Sequence, residues 1–230
     1  MKKIERLWLI PLAFFLICCV LNLAGGLNYD SPVLQRTVKP ALLPLLGLTT
    51  FAWLLPRSPR TREAALLMSA QLFGFAGDTM LLGSGFPFFA GGIGLFLIGH
   101  IFYITLFGGI SFKGLKLWHW ILAVAVSVAC VAGLVVAIGV NGVMLAPMGI
   151  YALVLMMLIF STLAGLIRFG GATWWLLLCG AVLFTFSDSL IAVRNFGGIS
   201  PFMDGFVIMF TYLAAQGLLA VGACRLATRK

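Results

Sequence analysis

Read for polarity alone, the chain is a series of apolar runs of roughly twenty residues, separated by short breaks of Gly, Pro, Lys, Arg or Asn. The runs fall at about 7–24, 38–55, 63–83, 88–110, 118–139, 143–167, 173–194 and 203–225. A helix needs roughly 20 apolar residues to cross the hydrocarbon of a bilayer, so the pattern predicts eight transmembrane helices. The second run is the weakest, because Pro40 and Pro44 fall in its first turns, where proline is tolerated. The breaks leave no room for a soluble domain. Residues 1–230 therefore read as one all-α bundle in the membrane. The first run follows Met1-Lys2-Lys3-Ile4-Glu5-Arg6 as a signal peptide would, yet it is long for an h-region and further spans follow; it is read as a retained first helix.

Composition sharpens this picture. The sequence is 62% hydrophobic and 9% charged, with a mean hydropathy of +1.14; soluble domains average about 25% charged residues. The net charge of +9 does not point to nucleic acid, because the basic residues are scattered at the ends of apolar runs, where they set orientation. With the N-terminus inside, Lys2, Lys3, Arg6, Arg57, Arg60, Arg62, Lys113, Lys116, Arg168, Arg225, Arg229 and Lys230 collect on the inner side, 12 of the 15 basic residues. Arg36, Lys39 and Arg194 remain outside. Eight spans with both termini inside is the expectation, in the cytoplasmic membrane if the source is bacterial. The five cysteines lie within apolar runs without C-x-x-C spacing, so they read as small core residues.

Against this apolar background two carboxylates stand out. Asp78 lies in Gln71-Leu72-Phe73-Gly74-Phe75-Ala76-Gly77-Asp78, where Gln71, Gly74 and Asp78 share one helix face; Asp188 lies in Phe184-Thr185-Phe186-Ser187-Asp188-Ser189. Intramembrane ionisable residues are costly and are read first as functional, although an aspartate can also serve only as a hydrogen-bonding link between helices. Each lies 15 residues from the inner start of its span, roughly 22 Å up a helix rising 1.5 Å per residue, which places both at one depth in the outer half of the bilayer. Lys39 and Arg194 lie above that level, as site residues or as side chains snorkelling to the interface. His100 and Tyr103 at i, i+3, and Tyr212 and Gln216 at i, i+4, add polar groups on two further spans. His119, flanked by Trp118 and Trp120, reads as part of an aromatic belt, and Asp30, Arg36 and Asp204 read as solvated loop residues. Asp78-Thr79-x-Leu81 and Asp188-Ser189-x-Ile191, four spans apart, hint at a four-plus-four repeat.

Several chemistries find little support. Two histidines on different spans do not suggest a zinc site, which usually takes three protein ligands, and no G-x-S-x-G marks a nucleophilic serine. Intramembrane aspartyl proteases pair Tyr-Asp with Gly-x-Gly-Asp; here Phe75-Ala76-Gly77 precedes Asp78, and Tyr29-Asp30 falls in a loop.

Gln71-x-x-Gly74-x-x-Gly77-Asp78-x-x-Leu81, then Phe89-x-x-Gly92, Gly99-His100-x-x-Tyr103, Gly180-x-x-x-Phe184-x-x-Ser187-Asp188-Ser189 and Tyr212-x-x-x-Gln216, together with Lys39-Pro40, resemble the motifs of the YhhN-like, lysoplasmalogenase family. The resemblance runs from about residue 39 to 220. It implies an eight-span hydrolase that cleaves the vinyl-ether bond of a lysophospholipid, the lysoplasmalogen, with Asp78 and Asp188 catalytic. Such a reaction needs one carboxylic acid and one carboxylate, as glycoside hydrolysis does, and no metal or cofactor. Supporting roles would fall to Lys39, Gln71, His100, Tyr103, Ser187, Arg194, Tyr212 and Gln216, with Lys39 and Arg194 near a phosphate. The rival expectation is a transporter or lipid-binding membrane protein that uses the same aspartates for protons or headgroups.

Overall fold

In a computed structural model, residues 6–27, 32–139, 142, 145–197 and 204–229 are described, and the descriptions that follow concern those residues. They form eight α-helices: α1 (Leu9–Leu27), α2 (Pro32–Leu54), α3 (Thr61–Met80), α4 (Phe86–Ser111), α5 (Leu117–Ile138), α6 (Leu145–Phe169), α7 (Gly171–Phe196) and α8 (Asp204–Ala227). Most bounds lie within a few residues of the apolar runs. The exception is α2, which begins at Pro32, so that Arg36 is helical and Pro40 and Pro44 are interior rather than in the first turns. Each proline removes one N–H from the helix ladder. A membrane helix tolerates that where neighbouring helices cover the freed carbonyl.

Seven of the helices are long and apolar enough to cross a membrane. The remaining one, α3, has the length but carries Arg62, Glu63, Gln71 and Asp78. Such a helix could not face lipid along its whole circumference. It is instead packed between α2, α4 and α8, which bury Gln71, Gly74, Gly77 and Asp78. Gly99 of α4 allows that approach: a Cβ there would stand 3.2 Å from the Ala70 carbonyl oxygen of α3, and backbone has little room to yield. At the bundle's other end, the Arg60 N–H donates to the Ala227 carbonyl at 2.8 Å, joining the start of α3 to the end of α8.

The core is built around α8, where Leu213, Ala215, Leu219, Ala220 and Ala223 are all buried among residues of α2, α3, α4, α6 and α7. The periphery is the reverse of a soluble protein's. On α1 and α5, residues such as Ile10, Val20, Ile121 and Val136 are exposed. Lipid, which makes no demand that apolar groups be covered, is the solvent that permits such a surface. α5 is the least integrated helix, resting chiefly on α6 with lighter contact to α7.

Candidate active site

Asp78 lies two residues before the end of α3, and Asp188 lies in the last third of α7. Both line one small cavity, walled by Lys39 of α2, Phe96 of α4, Met148 and Tyr151 of α6, and Ile208 and Tyr212 of α8. The sequence places these aspartates 110 positions apart, and the packing of α3 and α7 around α8 brings them to the same space.

Their partners differ. One carboxylate oxygen of Asp78 lies 3.3 Å from the Lys39 ammonium, and the other accepts a hydrogen bond of 2.5 Å from the Tyr212 hydroxyl. Behind Tyr212, the Gln216 amide donates to the tyrosine oxygen at 3.4 Å and accepts from Tyr103 at 3.4 Å. A polar file thus runs from Tyr103 through Gln216 and Tyr212 to Asp78 and Lys39. Asp188 accepts a hydrogen bond from the Tyr151 hydroxyl and forms no ion pair among the described residues. One aspartate is held beside a cation, the other beside a neutral donor.

The remaining sequence-selected residues divide into near and far. Ser187 borders the cavity, but its hydroxyl donates to the Ile208 carbonyl at 2.9 Å and so joins α7 to α8. His100 lies beneath the site, edge-on to Phe184 at 4.5 Å and near Tyr151, leaning toward the Phe96 carbonyl without a well-formed hydrogen bond at Nδ1. Gln71 points away, donating to the Thr50 hydroxyl at 3.0 Å and tying α3 to α2. Arg194 is exposed and borders a second, wider and more open cavity that adjoins the first. Lys39, Leu81, Phe89, Ile191, Ile208 and Met209 are common to both, so the wider space is a vestibule to the site.

Two residues escaped the sequence reading. Arg36, assigned there to a solvated loop, stands in α2, donates to the Leu82 carbonyl at 2.6 Å and borders the vestibule with Lys39 and Arg194. Its spacing of three from Lys39, on one helix face, was a usable signal. Tyr151 had no such signal, since its link to Asp188 spans 37 residues and two helices. The scarcity of tyrosine is informative: of four in the chain, the three among the described residues all bond within this site or its file. Asp30 lies outside the described residues. No cluster of three or more potential metal-ligating residues occurs among those described.

The family model described as the YhhN family matches residues 34–223. The chain is 31% identical over 221 residues to the mouse protein named lysoplasmalogenase TMEM86B, covering 96% of this chain and 88% of that protein. It is 30% identical over 221 residues to the rat protein of the same name, covering 96% and 85%. The human protein named lysoplasmalogenase TMEM86A is 31% identical over 165 residues, 70% of this chain and 66% of its own. No solved structure matches the chain.

Proposed function

The chain belongs to the YhhN family, and we propose that it is a lysoplasmalogenase, hydrolysing the vinyl-ether bond of a lysoplasmalogen to a fatty aldehyde and a glycerophospho-alcohol. It is an integral, multi-pass membrane protein. The observation that carries the reading is that two carboxyl groups from separate helices face one cavity. The names of relatives similar over most of the chain support the choice of substrate.

The partners divide the work. Asp188, beside the neutral Tyr151 hydroxyl, is the acid; Asp78, beside the Lys39 ammonium, is the standing carboxylate. The Asp188 proton passes to the alkene carbon remote from the ether oxygen, leaving an oxocarbenium ion that the Asp78 carboxylate stabilises. Water adds to the cationic carbon as Asp78 takes its proton, giving a hemiacetal. The hemiacetal hydroxyl returns a proton to Asp188 while Asp78 protonates the departing glycerol oxygen. The C–O bond breaks, aldehyde and alcohol leave, and both carboxyl groups regain their starting states. Tyr212 and Tyr151 orient the two carboxyls, and Gln216 and Tyr103 brace Tyr212 from behind. With both termini on the cytoplasmic side, the vestibule opens at the outer face, where Arg36 and Arg194 attract a phosphate.

The test is aldehyde release from an alkenyl lysophospholipid by the purified protein, beside Asp78→Asn and Asp188→Asn variants that keep the parent's elution profile. Activity in the parent, and a fall of at least about 10³ in each variant, is the expected outcome for groups that move protons at the reacting carbons. Full activity in either variant removes that aspartate from the mechanism. Movement of intact lipid across a vesicle membrane without aldehyde release would favour transport.

A further inference from the structure

A third, shallow and open hollow lies between α5, α6 and α7. Met148, Tyr151, Asp188 and Ala192 line it and the aspartate cavity alike, so the two spaces meet at the Tyr151–Asp188 pair. From there its walls are Cys130, Val131 and Leu134 of α5 and Ala152, Leu155 and Met156 of α6. The other hydroxyl groups on it, Thr185 and Ser189 of α7, donate to carbonyls of their own helix at 2.9 and 2.8 Å, so they offer a ligand little polarity. At its far end Cys130 is exposed on the bundle's flank. The groove therefore leads sideways from Asp188 to the face that lipid covers.

We propose that this groove binds the hydrocarbon chain of the substrate, so that the lipid enters from the membrane between α5 and α7 and lies with its phosphate in the vestibule. The inference rests on the lysoplasmalogenase reading. The vestibule and the groove each share walls with the aspartate cavity, and the three spaces match the three parts of a single-chain ether lipid in order. Arg36, Lys39 and Arg194 border the vestibule on one side; the carboxyl groups face the middle; an apolar passage leaves on the other side. The acid stands where the passage begins. A chain threaded through the groove presents its first carbons to Asp188, as protonation of the remote alkene carbon requires. The light attachment of α5 suits a wall that must part to admit a chain.

A saturated ether lysophospholipid carrying a diazirine near its methyl end, which cannot be hydrolysed at a vinyl ether, is the probe. Irradiated with the protein in nanodiscs, it is expected to cross-link α5 near Cys130–Leu134 and α6 near Ala152–Met156, and an excess of unmodified lipid should suppress the adducts. In parallel, Ala152→Trp narrows the groove while keeping Asp78, Asp188 and Tyr151 in the chain. It should lower kcat/KM for a long-chain alkenyl substrate about tenfold relative to a short-chain one, a shift in selectivity that general destabilisation does not produce. Adducts confined to other helices, or equal losses for both chain lengths, overturn the proposal. The two readings fail separately: aldehyde release with adducts elsewhere sinks the groove alone. Groove adducts with no aldehyde release from any alkenyl lysophospholipid sink the hydrolase and leave a chain-binding site.

Discussion

Lys39 offers the most quantitative test of the site. At 3.3 Å from the Asp78 carboxylate, and with an effective dielectric constant near 20, its attraction amounts to about 5 kcal/mol. The lysine side chain is 18% exposed and the aspartate 3%, so water screens the pair only modestly. Lys39→Met keeps most of the stem and removes the charge, leaving Asp78 in a buried site with the Tyr212 hydroxyl as its remaining hydrogen-bond partner among the described residues. Breaking a buried pair from one side costs about 3–5 kcal/mol. For a chain of this size that corresponds to a fall in melting temperature on the order of 10 °C. Circular dichroism in detergent measures it. The decisive comparison is the double variant Lys39→Met, Asp78→Asn, in which neither charge is left alone; it should recover most of the lost stability while remaining inactive. Melting of Lys39→Met with the parent, or a double variant that loses the sum of both single losses, would refute the buried ion pair.

Two further substitutions separate residues that act on the carboxyl groups from those that merely hold helices together. Tyr212→Phe removes the hydroxyl that donates to Asp78, a bond to a charged group contributing about 1.5–3 kcal/mol, and should lower kcat at least about tenfold with KM little changed in steady-state aldehyde assays. Gln71→Leu, by contrast, should leave kcat at the parental value and shift stability by no more than about 1 kcal/mol, because its amide reaches only Thr50, whose hydroxyl keeps its bond to the Leu46 carbonyl.

The helices were legible in the sequence because a single physical requirement, about twenty apolar residues per crossing, writes itself into local composition. The two aspartates were legible for the converse reason: burying a carboxyl group in such a run is costly enough to need an explanation. What escaped was whatever depends on which helices touch. Gln71 shares a face with Asp78 in the sequence, yet α3 packs on two sides, and Gln71 faces α2 while Asp78 faces the cavity. Tyr151 sits alone in an apolar run and acquires meaning only when α6 meets α7. Arg36 looked solvated because the second apolar run begins only at about residue 38, whereas α2 continues back to Pro32. The lateral groove belongs to the same class, as three helices separated by loops and long runs supply its walls.

The placement of the two aspartates bears on why the proposed mechanism gives them different roles. Asp78 lies 17 residues beyond Thr61, the first residue of α3, and Asp188 lies 17 beyond Gly171, the first of α7. Each is thus about 26 Å along its helix at 1.5 Å per residue. Each also meets a side chain from near the start of the preceding helix: Lys39 is seven residues beyond Pro32 in α2, and Tyr151 six beyond Leu145 in α6. The geometry is nearly the same in the two halves, and the chemistry of the partner is not. Two carboxyl groups with identical surroundings would have no reason to divide a proton between them in a fixed sense. A cation in contact with one and only a neutral hydroxyl in contact with the other supplies that reason, because an adjacent cation favours standing charge more strongly than a neutral donor does. On this view the Lys39–Tyr151 difference, rather than the aspartates themselves, decides which carboxyl group gives the proton and which waits for water.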